Sequence, residues 1–342
     1  MDKRYRFFGG GYNLVIQTGG IVWRTALTFS PSPFSSLRRG EGGGEGRGDK
    51  KTVTQFQFFF LEFSAIYILL AWAIYLPFRA NQPYFGPFYT MCLGAYFATY
   101  TTVNWGWPFW LTLIGAVAFC LFFSLIPAFK LAALGGFPML IATMALFFIV
   151  QTAARNMQIL GGRHGLFGIP PLPQYILLGI TYGFVLIIGF CVYRLDHSHI
   201  GRALDAILFD QHVAATLGIN MARLSIHLQL ISSAIGGLAG VLYANTFGGV
   251  FHEAFGFPLI LYGMTIVIFG GMYTMWGIII AAPVLWGVTQ VLPEALKAFS
   301  IIIYGALLIV MLLIRPSGII DRRMTRAVSF GARALLKRVS GS

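Results

Sequence analysis

Nine apolar stretches, each close to the length of a membrane-crossing helix, dominate this sequence. A hydrocarbon core of ~30 Å requires about 20 apolar residues at a rise of 1.5 Å per residue. The stretches fall at 57–78, 85–104, 108–129, 132–154, 174–194, 224–246, 258–271, 273–292 and 298–314. Of the 342 residues, 57% are hydrophobic and 10% are charged, which excludes a water-soluble globule. We therefore predict an all-α, polytopic integral membrane protein with about eight or nine transmembrane helices.

The stretch 258–292 is too long for one membrane-spanning helix and short for two. The adjacent glycines Gly270 and Gly271 predict two short helices that meet there, because irregular backbone at membrane depth is tolerated where protein buries it. Small residues also recur at a spacing that lets helix backbones approach closely in lipid. These residues are Ser233, Gly237, Gly240, Gly270, Gly271, Gly277 and Ala281.

Basic residues are concentrated at both ends of the chain and predict its orientation. Residues 1–51 hold nine basic and four acidic groups, and the segment from Arg315 onward holds seven basic groups and one acidic group. By the positive-inside rule the tail 321–342 is cytoplasmic, and so is the loop 195–223, which lies four spans earlier. The same count places Arg79 on the cytoplasmic side. The net charge of +13 does not indicate nucleic-acid binding, since the chain lacks the polar face that such proteins use.

Residues 1–51 are expected to be a low-complexity basic extension outside the membrane body. The stretch SPSPFSSLRRGEGGGEGRGDKK is rich in Gly, Ser and Pro and cannot bury a core. An odd number of spans would place this basic segment outside the cell, against the positive-inside rule. Residues 7–30 are only moderately apolar, and the pattern of a signal peptide is missing. We therefore expect a start codon assigned too far upstream and a functional chain that begins near Thr52.

The motifs of bond-making chemistry do not occur in the sequence. It has no GxxxxGK[ST] loop for ATP, no HExxH, no GxSxG and no paired carboxylates in register. We predict no catalytic residue, cofactor site or metal site in this chain. Cys92, Cys120 and Cys191 lack metal-ligand spacing and are expected to be small buried apolar side chains. Glu62, the one acid in the predicted spans, lies near a span end and is expected to be solvated rather than functional.

The loop 195–223 contains a short segment with helical periodicity. One face consists of Leu204, Ile207, Leu208, Gln211, Ala214 and Ala215, and the other carries Arg202, Asp205, Asp210 and His212. Gly218 is expected to end the helix, because glycine adopts the left-handed conformation at little cost. Such a helix either docks a cytoplasmic partner or lies at the membrane interface, and the periodicity alone favours neither.

The stretch GRALDAILFDQHVAATLGINMAR within this loop resembles the cytoplasmic loop of permease subunits in branched-chain amino acid ABC transporters, the LivM-type branch of the LivHM permease family. In that family the loop meets the ATPase subunit, so the resemblance implies an ATPase coupling loop here. The matching positions are Gly201, Arg202, Ala203, Leu204, Asp210, Ala214, Ala215, Leu217, Gly218 and Ile219. Gln211 and His212 stand where the family usually has an acidic residue.

Three further stretches match the family in order along the chain. LGAYFATY at 93–100 resembles its G-A-Y helix, and IVIFGGMYTMWGIIIAAPVLW with the later R-P-S-G-I resembles its closing helices and terminal signature. ILGGRHGLFGIP resembles its external T-G-G-x-x-G-L-x-G-I-P loop, with Leu160 in place of Thr. The matching residues are Gly161, Gly162, Gly165 and Pro170. LPFRANQPYFGPFYTM departs from the family, which commonly has G-Q-x-S-L-G-H near the expected pathway.

The resemblance implies a transmembrane permease domain at 52–320 and a cytoplasmic tail at 321–342, in the bacterial cytoplasmic (inner) membrane. It implies an ATP-driven importer for branched-chain or other small amino acids, with urea or short amides left open. ATP would be bound by two cytoplasmic ATPase subunits, a second permease subunit would share the translocation pathway, and an extracytoplasmic solute-binding protein would meet the external loop. A stand-alone secondary carrier or channel for a small polar solute is the alternative, and it requires more ionisable groups in mid-membrane.

Overall fold

A computed structural model describes most residues of each of the nine predicted spans. The described residues are 48–131, 134, 136–209, 216, 220–272, 274–291 and 300–314. By their contacts, residues 1–53 and 54–342 form two units. Within the described residues the elements are α1 (Gly48–Arg79), α2 (Gly86–Trp105), α3 (Phe109–Leu131), α4 (Gly136–Asn156), β1 (Leu166–Phe167), α5 (Gln174–Asp196), α6 (His199–Phe209), α7 (Met221–Phe247), β2 (Gly249–Val250), α8 (Phe257–Gly270), α9 (Met275–Val291) and α10 (Ser300–Ile314).

The predicted all-α, polytopic membrane fold is confirmed. Each of the nine predicted spans coincides with a helix, and the bounds differ by a few residues except at the start of α1. In the described part of the chain, five helices are long and apolar enough to cross a membrane, namely residues 57–79 of α1 and the whole of α3, α4, α5 and α7. Helices α8 and α9 are apolar but shorter.

Helix α1 is the most enclosed of the long apolar helices. Within its most apolar window 83% of the residues are buried, against 22% in α5. The Trp72 indole nitrogen donates to the Met275 carbonyl of α9, and the Ser232 hydroxyl of α7 donates to the Ala73 carbonyl at 2.6 Å. Phe63 stacks on Trp286 of α9 with ring centroids 5.1 Å apart. A helix that is apolar on every side is stable only where other elements cover it, and α1 meets this requirement.

Glycines set the distance between α2 and α7, which pack closely along their length. A Cβ atom on Gly240 would overlap the carbonyl of Met91, and one on Gly94 would overlap the backbone of Gly237. A Cβ on Gly237 would also lie 2.7 Å from the Cys120 sulfur of α3. The small-residue packing predicted from the sequence is therefore confirmed for Gly237 and Gly240.

Helix α2 carries several threonines yet lies buried between α3 and α7. Two of these threonine hydroxyls are satisfied within the helix, because Thr99 donates to the Ala95 carbonyl and Thr101 to the Phe97 carbonyl, both at 2.9 Å. A buried hydroxyl that lacked a partner would cost free energy, and back-bonding to the preceding turn removes that cost. The helix ends at Gly106, whose φ of 65° is left-handed.

The apolar stretch 258–292 forms two short helices, as predicted. Helix α8 ends at Gly270 and α9 begins at Met275. With 14 and 17 residues, they are about 21 and 26 Å long and shorter than the ~30 Å hydrocarbon core. Gly271 and Thr274, between the two helices, are buried. The helices touch where Gly277 meets the backbone of Gly270, so the predicted packing role of these glycines is confirmed.

The bundle has two ends, which we name after residues that lie there. The Arg79 end holds the connection from α1 to α2 and the helix α6. The Phe167 end holds the loop between α4 and α5 and the segment after α7. At the Phe167 end β1 pairs antiparallel with β2, with Leu166 opposite Val250 and Phe167 opposite Gly249. This sheet attaches the α4–α5 loop to the bundle.

Several predictions concern residues outside the described part of the chain. These are the basic extension up to residue 47, the expected start near Thr52, the terminal R-P-S-G-I signature and the tail 321–342. They stay predictions.

Candidate functional site

Helix α6 lies at the Arg79 end and follows α5 after only two residues. Ser198 precedes its first turn, and the Ser198 hydroxyl accepts a hydrogen bond from the Ile200 amide at 3.1 Å, as an N-cap residue does. A Cβ atom on Gly201 would overlap the carbonyl of Asp196. Gly201 is therefore required because the first turn of α6 passes directly over the end of α5.

The apolar face of α6 packs on the chain's own helices. Leu204 and Ile207 are buried together with Ala80, which follows α1, and Leu228 of α7. The predicted amphipathic face is confirmed for these two residues. The chain's own helices therefore cover these two side chains, and docking of α6 on a cytoplasmic partner stays a prediction.

Arg79 joins three segments at this end of the bundle. Its guanidinium lies 3.1 Å from the Asp196 carboxylate of α5 and 2.7 Å from the Asp205 carboxylate of α6. The Tyr75 hydroxyl, one turn earlier in α1, donates to the second oxygen of Asp196 at 2.9 Å. Asp205, which the sequence places on the polar side of the helix, is partly exposed, and its carboxylate pairs with Arg79. We call Tyr75, Arg79, Asp196 and Asp205 the arginine cluster.

The other residues predicted for the coupling loop divide into two groups. Arg202 is exposed and its guanidinium lies 2.6 Å from the His199 ring, whereas Ala203 is half-buried. Six lie outside the described residues, and their places stay predictions: Asp210, Ala214, Ala215, Leu217, Gly218 and Ile219.

The predicted external loop is brought together at the Phe167 end. Gly161 has a φ of +83°, and a Cβ atom on it would overlap the Gly165 carbonyl. Gly165 itself has φ 75° and ψ 179°, a region open essentially only to glycine. The Gly168 amide donates to the Gly248 carbonyl at 3.2 Å, which extends the β1–β2 attachment. Gly162 lies in the chain between Gly161 and Gly165, whose backbones make these close contacts. Pro170 follows them in the loop and is exposed.

A buried hydroxyl network lies in the segment that departs from the family pattern. The Tyr84 hydroxyl is 2.8 Å from that of Tyr89 and 3.1 Å from that of Ser233, and Ser233 is 2.7 Å from Ser124. The network thereby joins the α1–α2 connection to α3 and α7. Burial raises the pKa of the Tyr84 hydroxyl above its ordinary value, so it stays protonated and donates one hydrogen bond. No motif in the sequence predicted this network, and the polar residues Ser124 and Ser233 within apolar spans were the available signal.

A second buried polar group follows α7 toward the Arg79 end. Ser225 donates to the Gln82 side-chain oxygen, and the Gln229 amide donates to Ser225 at 2.9 Å. The Gln229 oxygen has no hydrogen-bond partner and is buried. These amides and hydroxyls line the contact of α7 with the α1–α2 connection.

Two predictions about single residues are wrong. Glu62 is not solvated, because its side chain is buried inside the bundle, with one carboxylate oxygen lacking a hydrogen-bond partner. Cys191 is exposed on α5 rather than buried, whereas Cys92 and Cys120 are buried as expected. In both cases the position along a helix was correct, but the side of the helix that faces the bundle was not visible in the sequence.

An aromatic cavity of about 170 Å³ lies toward the Phe167 end, between α1, α8, α9 and α10. Its lining includes Tyr67, Tyr262, Trp286 and Tyr304. The Tyr262 hydroxyl is buried and has no hydrogen-bond partner. In the described part of the chain, no three His, Cys, Asp or Glu side chains are grouped closely enough to hold a metal ion.

The fold and these sites together define a class of protein. An all-α bundle with several membrane-crossing helices, buried polar networks between them and a short helix anchored at one end is a multi-pass membrane permease. More particularly, the chain belongs to the family described as the permease component of the branched-chain amino acid transport system, whose model matches residues 57–312. The family description makes its members permease components of a transport system.

Curated relatives are consistent with this family. The chain is 29% identical over 278 residues to the high-affinity branched-chain amino acid transport system permease protein LivM of Salmonella typhimurium, covering 71% of this chain and 63% of the relative. The Escherichia coli K12 LivM protein is 28% identical over the same shares. The LivH permease protein of Salmonella typhimurium is 33% identical over 130 residues, 37% of this chain and 42% of that protein.

The chain spans a little under two thirds of the length of the LivM proteins that it matches. No solved structure matches it.

Proposed function

We propose that this chain is the membrane-embedded permease subunit of an ATP-driven importer for branched-chain amino acids in the bacterial inner membrane. The observation that carries the proposal is the family match, which extends from residue 57 in α1 to residue 312 in α10 and so includes the described bundle. The LivM relatives are named for high-affinity branched-chain amino acid transport. Leucine, isoleucine and valine are therefore the substrates to test first.

A second permease subunit would complete the pathway. LivM and LivH proteins, two permeases of a system with the same name, both match this chain, which supports pairing of two related subunits. Helices α3, α4 and α5 expose large apolar side chains, for example Phe122 at 70% and Leu186 at 73%. In a membrane such faces are covered by lipid or by another transmembrane subunit.

In this proposal the chain has no ATPase site of its own, and two ATPase subunits bind ATP at the cytoplasmic Arg79 end. The ATPase subunits would contact the exposed side of α6, which carries His199, Ile200 and Arg202. They would also contact the following residues 210–219. Closure of the ATPase subunits would displace α6 and shift the bundle between outward-open and inward-open states. Such a shift requires that the partner binds the two states with different affinity.

A solute-binding protein would dock at the Phe167 end, which is extracytoplasmic in this orientation. The α4–α5 loop is attached there by β1 and β2 and by the close approach of Gly165 to Val250. A loop fixed in this way loses little conformational entropy on binding, which favours its use as a docking surface.

One observation favours the alternative of a stand-alone secondary carrier. Glu62 is a buried carboxylate on the central helix α1, and an intramembrane acid is a candidate for ion coupling. A carrier of this kind would transport solute without ATP and without other subunits.

Reconstitution separates the two functions. The chain is purified with its second permease and both ATPase subunits, placed in liposomes with internal ATP, and given leucine-loaded binding protein outside. We expect leucine uptake that requires ATP and all subunits. Uptake by the chain alone, driven by a proton or sodium gradient and lost in Glu62→Gln, would instead identify the carrier.

A further inference from the structure

The arginine cluster fixes α6 to two other helices through one buried cation. Arg79 is the last residue of α1 and its side chain is 3% exposed. Its Nε and Nη2 atoms both reach one oxygen of Asp196, at 3.2 and 3.1 Å, while Nη1 reaches Asp205 at 2.7 Å. The planar guanidinium can donate in several fixed directions at once, which a lysine ammonium on a flexible stem cannot reproduce.

This arrangement sets position more than it adds stability. Removing a cation from water costs free energy that its ion pairs only partly return, so a buried pair is weak evidence for stability and a candidate for specifying geometry. Asp205 lies on α6 and Asp196 ends α5, so the Arg79 side chain ties α6 to the ends of α1 and α5 in addition to the apolar contacts of Leu204 and Ile207. Without Arg79 the two carboxylates would share the site without a counter-charge.

The cluster is also connected to the interior of the bundle. Two turns before Arg79 in α1, Trp72 donates to the Met275 carbonyl, next to the break between α8 and α9. The adjacent Ala73 carbonyl accepts from Ser232 of α7. A displacement of α6 that acts on Arg79 therefore moves a helix already bonded to α7 and α9.

We propose that Arg79 is a positioning residue for energy coupling, which holds α6 through Asp205 and Asp196 and transmits its displacement along α1 to the α8–α9 pair. The inference rests on the proposed function, because it requires an ATPase that acts on α6. Arg79 contacts neither the transported solute nor ATP in this role. It acts only through the helices that it joins.

The test uses the complete transporter complex with Arg79→Gln, Asp205→Asn and the double variant. We expect the number of leucine molecules transported per ATP hydrolysed to fall about tenfold in each, a size typical of coupling between sites, while the complex still forms and hydrolyses ATP. The double variant should be no worse than Arg79→Gln, since both remove the same link. Arg79→Lys keeps the positive charge but lacks the planar guanidinium, so its leucine-to-ATP ratio should lie between those of the unmodified complex and Arg79→Gln. Arg194→Gln removes an exposed arginine near the end of α5 and is the matched control.

A second readout keeps the inference testable if the glutamine variant assembles poorly. Amide hydrogen exchange of residues 199–209 is measured in the full complex for Arg79→Lys and Tyr75→Phe, which change the cluster mildly. We expect faster exchange in α6 in both, and no change in Arg194→Gln. An unaltered leucine-to-ATP ratio per assembled Arg79→Gln complex, or unaltered exchange in the mild variants, overturns the inference. Absence of ATP-dependent uptake in the unmodified complex would instead refute the proposed function.

Discussion

The indole nitrogen of Trp72 donates a hydrogen bond to the carbonyl oxygen of Met275, 3.3 Å away. The bond joins the central helix α1 to the first residue of α9, beside the backbone break that separates α8 from α9. Trp72 also fills the space beside Gly189 of α5, where a Cβ atom would lie 2.7 Å from its ring. One side chain thus sets the spacing of three helices.

Replacing Trp72 by Phe should destabilise the protein by about 1 kcal/mol from the lost hydrogen bond, plus the loss of contacts made by the larger ring. Trp72→Ala should cost about 3–5 kcal/mol through the cavity that it leaves. Thermal unfolding of the purified protein in detergent measures both. Trp276→Phe, which changes a half-exposed tryptophan on α9, is the control and should leave the midpoint nearly unchanged. Equal shifts for Trp72→Phe and Trp276→Phe would contradict the structural role of this bond.

The contact of α2 with α7 can be tested with single methyl groups. Gly240→Ala places a Cβ atom into the Met91 carbonyl and should cost about 1–3 kcal/mol, as overpacking does. Gly183→Ala on α5 adds the same atom to open space and should be neutral or stabilising by up to about 1 kcal/mol, because alanine favours helix. The midpoint of thermal unfolding should therefore fall in Gly240→Ala and stay the same or rise in Gly183→Ala. If Gly240→Ala is as stable as Gly183→Ala, the helices are not in contact there.

Attachment of α6 depends on its buried face. Ile207→Asp places an unpaired carboxylate beside Ala80 and Leu228, which costs several kcal/mol unless the helix leaves the surface. We expect proteolysis within residues 199–209 to become rapid and leucine uptake to be lost, while the variant still inserts into the membrane. Ile200→Asp changes an isoleucine that is 45% exposed and should leave protease resistance intact. Equal protease sensitivity of the two variants would show that α6 is not held by this face.

The external loop offers a graded pair of glycine substitutions. Gly165→Ala forces a side chain into a backbone region that only glycine adopts and brings its Cβ to 2.5 Å from the Val250 carbonyl. Gly162→Ala is milder, because its φ of +53° is within the left-handed region and its nearest new contact is 3.8 Å away. The binding protein should stimulate ATP hydrolysis much less in Gly165→Ala than in Gly162→Ala, with ATP hydrolysis in its absence unchanged in both. A reversed order would argue against docking on this loop.

Much of the fold was predictable, because in lipid each helix must bury its own backbone polar groups and be apolar along its length. The break after Gly270 was predictable because adjacent glycines interrupt a long apolar stretch. The packing role of Gly237 and Gly240 was predictable because small residues recur there at helical spacing among large apolar ones. The site was predictable only in part. The position of α6 and its apolar face followed from periodicity, but the surface that covers this face did not.

Local sequence patterns specify which segments are helices, where they break and which small residues bring them together, because these depend on neighbours within a few turns. The partners of the polar side chains emerge only in the folded bundle. Arg79 meets Asp196 and Asp205 across 117 and 126 residues of sequence, and Tyr84 meets Ser233 across 149. No local pattern encodes such pairs. They exist because the folded bundle buries these groups, and a buried polar group must find its partner wherever the fold brings one close.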